Sequence, residues 1–241
     1  MYHIYSINNL INIMIKIDKF LTKITQYKCY YIQKFNKIYI NNFIDRKKYY
    51  FIHYKTNNIN QINFLERKNF KKITNNVYLK KTIAYQETYD IGSFFSAKKK
   101  DMPQIKTFLK NNKTQSRFYI DKKFPSKFRT QYRIEMASNF FKKQHSTDLF
   151  LYKNKRKILG LILLKNDKIK NAFLINLIIV NKRNLRSGIG KSLIQHAQNK
   201  FYKKIKYIIT GTQKQNISAL TFYQKMGFKI FKEDFALHHF S

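Results

Sequence analysis

Residues 172–202 read AFLINLIIVNKRNLRSGIGKSLIQHAQNKFY, and the fold turns on how this stretch divides. Residues 172–180 are apolar but for Asn176, the pattern of a central strand. Over 188–202 the apolar residues Ile189, Leu193, Ala197 and Phe201 recur at four-residue spacing, the stripe of an amphipathic helix. Between the two lies Asn184-Leu185-Arg186-Ser187-Gly188-Ile189-Gly190-Lys191. A strand that runs through glycines into a helix builds an anion site. Glycine lets the backbone approach closely, and the unpaired N–H groups and dipole of the helix N-terminus point at a bound phosphate. Neither G-x-x-x-x-G-K-[ST] nor G-x-G-x-x-G is present, since Gly190-Lys191-Ser192 has no glycine at Asn184 or Leu185. From these residues alone, a tight strand-to-helix turn without a ligand reads equally well.

Working outward, the pattern predicts strands over 93–98, 148–153, 158–165, 207–212 and 228–237. It predicts helices over 102–112, 132–143 and 217–226, the second with Ile134, Met136, Ala137, Phe140 and Phe141 as its apolar residues. The class is α/β (α+β).

The N-terminal part echoes the C-terminal one. Residues 49–80, YYFIHYKTNNINQINFLERKNFKKITNNVYLK, align without a gap to 207–238, YIITGTQKQNISALTFYQKMGFKIFKEDFALH. The shared residues include Asn58/Asn216, Phe64/Phe222, Phe70/Phe228 and Lys71/Lys229. Each copy reads as strand, polar turn ending in Asn, helix, and a strand opening on Phe-Lys. Two related halves are expected, 1–90 and 93–241, parted at Asp90-Ile91-Gly92-Ser93.

The loop Leu185-Arg186-Ser187-Gly188-Ile189-Gly190 and the run Asn216-Ile217-Ser218-Ala219-Leu220-Thr221-Phe222-Tyr223-Gln224-Lys225-Met226-Gly227-Phe228 together resemble the GNAT acetyltransferases. In that family the pyrophosphate loop is [QR]-x-x-G-x-[GA], and the next helix carries N-x-x-[AS]-x-x-x-Y-x-x-x-G-F. Leu185 departs from the usual Gln or Arg, with Arg186 beside it. The resemblance implies a GNAT fold, a mixed and mostly antiparallel sheet flanked by helices, with a degenerate GNAT-like N-terminal half. It implies acetyl-CoA as co-substrate, held by Ile178, Val180, Arg186, Ser187, Gly188, Ile189, Gly190, Lys191 and Asn216. It also implies oxyanion-stabilising N–H groups at the end of strand 172–180, and Tyr223 as the acid that protonates the leaving thiolate. The counterpart of Tyr223 in the first copy is Leu65, and no glycine pair stands where that half would need a phosphate loop.

Upstream, Gln115-Ser116-Arg117-Phe118-Tyr119-Ile120-Asp121 is similar to the S-R-F-x-x-D stretch of the dTDP-fucosamine acetyltransferases. This implies a nucleotide-linked amino sugar as acceptor, with Arg117 and Asp121 lining its site. An Arg–Asp pair ordering a loop is the other reading of these two residues. An acetyltransferase acting on a protein N-terminus, a lysine or another small amine is the alternative for the acceptor.

The formal charge of +37 suggests a polyanion partner, nucleic acid or an anionic membrane surface. Lys, Asn, Ile, Tyr and Phe are enriched together while Gly and Pro are scarce and Trp is absent, the drift that an A/T-rich genome imposes. The charge is therefore discounted and no specific nucleic acid is expected. One cysteine, Cys29, excludes an internal disulfide and reads as a small buried residue. His53, His196, His238 and His239 show no ligand spacing, so no metal is expected. Residues 1–22 are too polar for a membrane span and lack a signal-peptide layout, so the expected location is cytoplasmic. A homodimer is compatible with the sequence.

Overall fold

The structure, a computed structural model, describes residues 14–25, 27–85, 93–112, 114, 116–142 and 147–241. In chain order the elements are β1 (Ile15–Ile17), α1 (Lys19–Thr25), β2 (Lys28–Ile32), α2 (Lys37–Arg46), β3 (Tyr50–Thr56), α3 (Ile59–Arg67) and β4 (Lys71–Thr82). After them come β5 (Ser93–Ser96), α4 (Met102–Asn111), α5 (Arg117–Ile120), α6 (Ser126–Phe141), β6 (Thr147–Asn154), β7 (Lys157–Asp167) and β8 (Ala172–Val180). The last are α7 (Ile189–Phe201), β9 (Tyr207–Gln213), α8 (Ile217–Lys225) and β10 (Lys229–Phe240). They gather into two compact units. One takes the described residues up to Asn76 with Arg117–Phe128 and Glu233–Ser241, the other Val77–Ser116 with Arg129–Lys232.

In the first unit β1 is antiparallel to β2, β2 parallel to β3, and β3 antiparallel to residues 235–240 of β10. Its helices begin on side-chain caps. Asp18 Oδ1 accepts the Leu21 N–H at 2.9 Å, Asn36 Oδ1 those of Ile38 and Tyr39, and Asn58 Oδ1 those of Asn60 and Gln61. The core is aromatic, with Tyr30, Phe43 and Tyr50 meeting edge to face among Ile40, Ile52, Ile62 and Leu65. Cys29 is fully buried, which pushes its thiol up to about 11.

In the second unit β5 to β8 are sequentially antiparallel and β8 is parallel to β9. Residues 77–82 of β4 flank β9. Strand alternation divides the core into two layers. Ile162 and Leu164 of β7 pack with α7 and α8, whereas Leu161 and Leu163 pack with α4 and α6 on the opposite face. The sheet is mixed and flanked by helices, as expected.

The units do not follow a division into 1–90 and 93–241, and residues 89–92 lie outside the described ones. The reason is strand pairing. The echoed copies appear as β3-α3-β4 and β9-α8-β10, but each final strand pairs away from its own copy: β10 runs beside β3 and β4 beside β9. The hydrophobic alternation of a strand does not say which neighbour it will take, so sequence order places the break elsewhere.

Candidate active site

β8 and β9 are hydrogen-bonded partners over four rungs, Ala172↔Tyr207 to Ile175↔Thr210, and then part, although β8 continues to Val180 and β9 to Gln213. A register shift against β7 between Leu163 and Leu164 leaves Asn176 as the extra residue of β8 at this point, a bulge that turns the strand. Beyond it the Asn181 N–H donates to Leu159 O at 2.7 Å, on the β7 side. Because N–H groups alternate sides along a strand, those of Ile178 and Val180 face the other way, into the gap left by β9. The gap can take an extended ligand with amide groups of its own, which would pair with β8 as another strand does.

At the mouth of this gap the chain passes through a short turn into α7. Asn181 Oδ1 accepts the Arg183 N–H at 3.0 Å, and Ser187 Oγ donates to Asn184 O at 2.6 Å. Arg186 has φ of 65° and Gly188 φ of 85°, two left-handed residues that swing the backbone into the helix. No side chain caps α7 and its first turn holds no acidic residue, so the leading N–H groups around Ile189, Gly190 and Lys191 are available to an anion. The two glycines act differently. A Cβ on Gly188 would meet nothing, so that residue is needed for its backbone angle. A Cβ on Gly190 would lie 3.2 Å from the Phe222 ring and 3.7 Å from Val180 Cγ2, so that residue is needed for space. Arg186, Ser187 and Lys191 are exposed around the turn, as is Leu185.

Two supports of this turn escape sequence reasoning. A Cβ on Gly160 of β7 would lie 2.8 Å from Ile189 Cγ2, so its absence lets α7 settle on the sheet. A lone glycine within the apolar run Ile158–Leu164 is the signal that could have shown it. Asn112 is buried beyond the end of α4, where its Oδ1 accepts the Lys182 N–H at 2.9 Å, its Nδ2 donates to Phe108 O at 2.8 Å, and its carbonyl accepts from Arg133 Nη1. It therefore anchors the start of the turn. An asparagine after a helix is too ordinary to signal this.

Tyr223 is 5% exposed, packed between Phe222 and Phe228, and its hydroxyl shares a hydrogen bond with Thr210. Thr210 belongs to the last rung before β8 and β9 separate, so the phenol sits at the root of the gap. Burial raises its pKa, with the Thr210 hydrogen bond opposing, and keeps it protonated at neutral pH. Asn216 also has a structural duty. It is the N-cap of α8, with Oδ1 accepting the Ala219 N–H at 3.3 Å. At the other end of α8, Gly227 has φ of 82°, its N–H donates to Gln224 O, and the Phe228 N–H donates to Tyr223 O, a Schellman close. α3 ends alike: Asn69 has φ of 62°, its N–H donates to Glu66 O, and the Phe70 N–H donates to Leu65 O. Much of the sequence echo is thus helix punctuation.

Arg117 and Asp121 belong to the first unit. Asp121 is buried, accepting from His238 Nδ1 at 2.7 Å and from the Lys123 N–H at 3.0 Å. Arg117 Nη1 stands 3.4 Å from His53 Nδ1, and His53 Nε2 bonds Asp18 Oδ2 at 3.0 Å. Burial, joined by the Arg117 charge, depresses His53 to about 3, and burial depresses His238 to about 4 in spite of Asp121. Both rings are therefore neutral, and these histidines, read from sequence as uninformative, form the polar centre of their unit. Their spacing of 185 positions hid them; as facing residues on β3 and β10 they are cross-strand partners. Among the described residues, no three His, Cys, Asp or Glu side chains are grouped to hold a metal ion.

A mixed sheet with helices on both faces, a parted strand pair with amide hydrogens facing its gap, and an uncapped helix N-terminus beside it make a site for an extended, amide-bearing ligand that carries phosphate. The chain belongs to the GNAT acetyltransferases: the family described as acetyltransferase (GNAT) domain matches residues 110–241. It is an N-acetyltransferase with acetyl-CoA as its donor. Among solved structures it is similar to a functionally unknown conserved protein from Staphylococcus epidermidis, with TM-score 0.66 and 8% identity over 92% of this chain and 88% of that one. A GCN5-related N-acetyltransferase from Kribbella flavida has TM-score 0.58 and 9% identity over 88% and 80%. A tandem GNAT protein from the clavulanic acid biosynthesis pathway has TM-score 0.58 and 8% identity over 88% and 75%. At such identities the likeness is one of fold.

Proposed function

We propose that acetyl-CoA lies with its pyrophosphate on the N-terminus of α7 and its pantetheine arm in the gap between β8 and β9, and that Tyr223 completes transfer of the acetyl group to a primary amine. The reading rests on the coincidence of Tyr223, Thr210 and the open N–H groups of Ile178 and Val180 around one gap. The amine attacks the thioester carbonyl, and the developing oxyanion is met by a strand N–H. The C–S bond then breaks, the nitrogen gives up its proton to water, and the Tyr223 hydroxyl gives its proton to the departing thiolate. Most of the acceleration comes from holding amine and thioester together.

For the acceptor, the proposal is an amine carried on an anionic molecule, a nucleotide-linked amino sugar being the form that S-R-F-x-x-D supports. The exposed Lys182, Arg183, Arg186 and Lys191 around the turn favour such a molecule. A direct contact from Asp121 has less support, since its carboxylate is committed to His238 and Lys123. The test is mass spectrometry of the purified protein with acetyl-CoA and a panel of amino-sugar nucleotides, uncharged amino sugars and peptides. Acetylation of the nucleotide-linked sugars alone is the expected result; acetylation of peptides alone would replace this acceptor with a protein amine.

A further inference from the structure

From Lys168 to Lys232 the chain holds fourteen Lys and Arg and no Asp or Glu, where an even spread of its twelve carboxylates would place about three. Codon drift accounts for abundant lysine along the whole chain, but not for acidic residues withdrawn from one stretch. Within the second unit this stretch also supplies Tyr207 and Phe231 to a face of rings that β4 completes. Val77 and Leu79 of β4 and Ile208 of β9 are buried under α7 and α8, so the alternate residues lie on the opposite face, where Ile209 is buried, Tyr78, Lys80 and Tyr207 are half-buried and Gly211 is exposed. The core that α4 and α6 form on that side draws on β6, β7 and β8 and on no residue of β4 or β9.

Rings and ammonium groups are interleaved there. Lys80 Nζ stands 4.7 Å from the Tyr207 ring centroid and 5.5 Å from that of Phe231, which is 48% exposed. Lys206 approaches Tyr207 at 5.3 Å, and the Tyr78 ring lies against Gly211, where a Cβ would come within 3.3 Å.

We infer that this face of β9 and β4, with Phe231 of β10, binds single-stranded nucleic acid, with bases stacked on Phe231 and Tyr207 and lysines on the phosphates. A sheet offering rings on adjacent strands suits unpaired bases, each of which has a π-face, while its lysines track the backbone. It has no helix or ribbon to enter a duplex groove. An anionic lipid surface would meet the charge but has no use for rings held on a sheet. RNA and DNA share the chemistry invoked here. None of these residues is assigned to acetyl-CoA, so the inference stands apart from the transfer reaction.

The test uses the full chain and fluorescence anisotropy with labelled oligo(U) and oligo(dT) of about 12 nucleotides, a duplex of equal length, heparin, and phosphatidylglycerol vesicles. Expected are binding of both single strands that weakens as salt rises, weaker duplex binding, and about a tenfold loss for a Tyr207→Ser/Phe231→Ser double variant, with heparin affinity unchanged. Preference for one oligomer assigns the source as RNA or DNA. Equal losses for heparin and oligomers, no effect of the double variant, or preference for vesicles would each overturn the inference. Should the double variant fold poorly by circular dichroism, Lys80→Gln takes its place. It is expected to lower the salt slope by about one, and an unchanged slope would equally overturn it.

Discussion

Tyr223 joins two tasks at one position: its carbonyl closes α8 through the Phe228 N–H, and its hydroxyl meets Thr210 at the root of the gap. Tyr223→Phe keeps the first and removes the second. Turnover should fall by about 10²-fold or more with acetyl-CoA affinity nearly intact, as calorimetry and steady-state rates would show; unchanged turnover removes the phenol from the mechanism. The two loop glycines should also part company. Gly190→Val drives a side chain into Phe222 and should weaken acetyl-CoA about tenfold or more, whereas Gly188→Asn, able to adopt the left-handed angle, should cost only a few-fold. Equal losses would mean that the two residues share one role. Tyr223 and the glycines were legible because a motif marks them. Thr210 was not, since only strand pairing brings it under the phenol.

At the level of elements, most helices and strands of the second unit follow from hydrophobic period, and the strand 172–180 is found at those bounds. α6 begins at Ser126, six residues before the expected start, because the run Ser126–Gln131 follows Pro125 but has no clear apolar period of its own. No helix or strand is expected before Tyr49, where no motif stands, although the Asn36 cap before α2 is an ordinary signal. The shared ending of α3 and α8 gives a paired prediction. Gly227→Ala should lower stability by about 1 kcal/mol, and Asn69→Gly should raise it by a few tenths, both read from urea midpoints. A stable Gly227→Ala protein would deny that the left-handed close matters to α8.

For the molecule as a whole, the neutral pair His53 and His238 sets the response to acid. In the unfolded chain histidine takes its proton near about 6.5, while in the fold burial holds these two to about 3 and about 4. The unfolded state therefore binds more protons below about 6.5, so stability is level above that pH and falls as pH drops through the window beneath it. Asp18 and Asp121 have pKa values lowered despite burial, by their histidine hydrogen bonds, so their contribution is present above the ordinary carboxylate value and is lost further down. With two protons taken up on unfolding, the steepest slope is about 2.7 kcal/mol per pH unit. His238→Gln should roughly halve it in urea titrations between about pH 6 and 5; an unchanged slope would mean that His238 is already charged in the fold. The exchange of final strands, β10 to β3 and β4 to β9, has a bearing on inheritance as well. Losing the first 90 codons would strip β9 of a neighbour, and losing the last nine would strip β3, so natural selection can retain the N-terminal half for the strand it supplies, even if that half binds nothing.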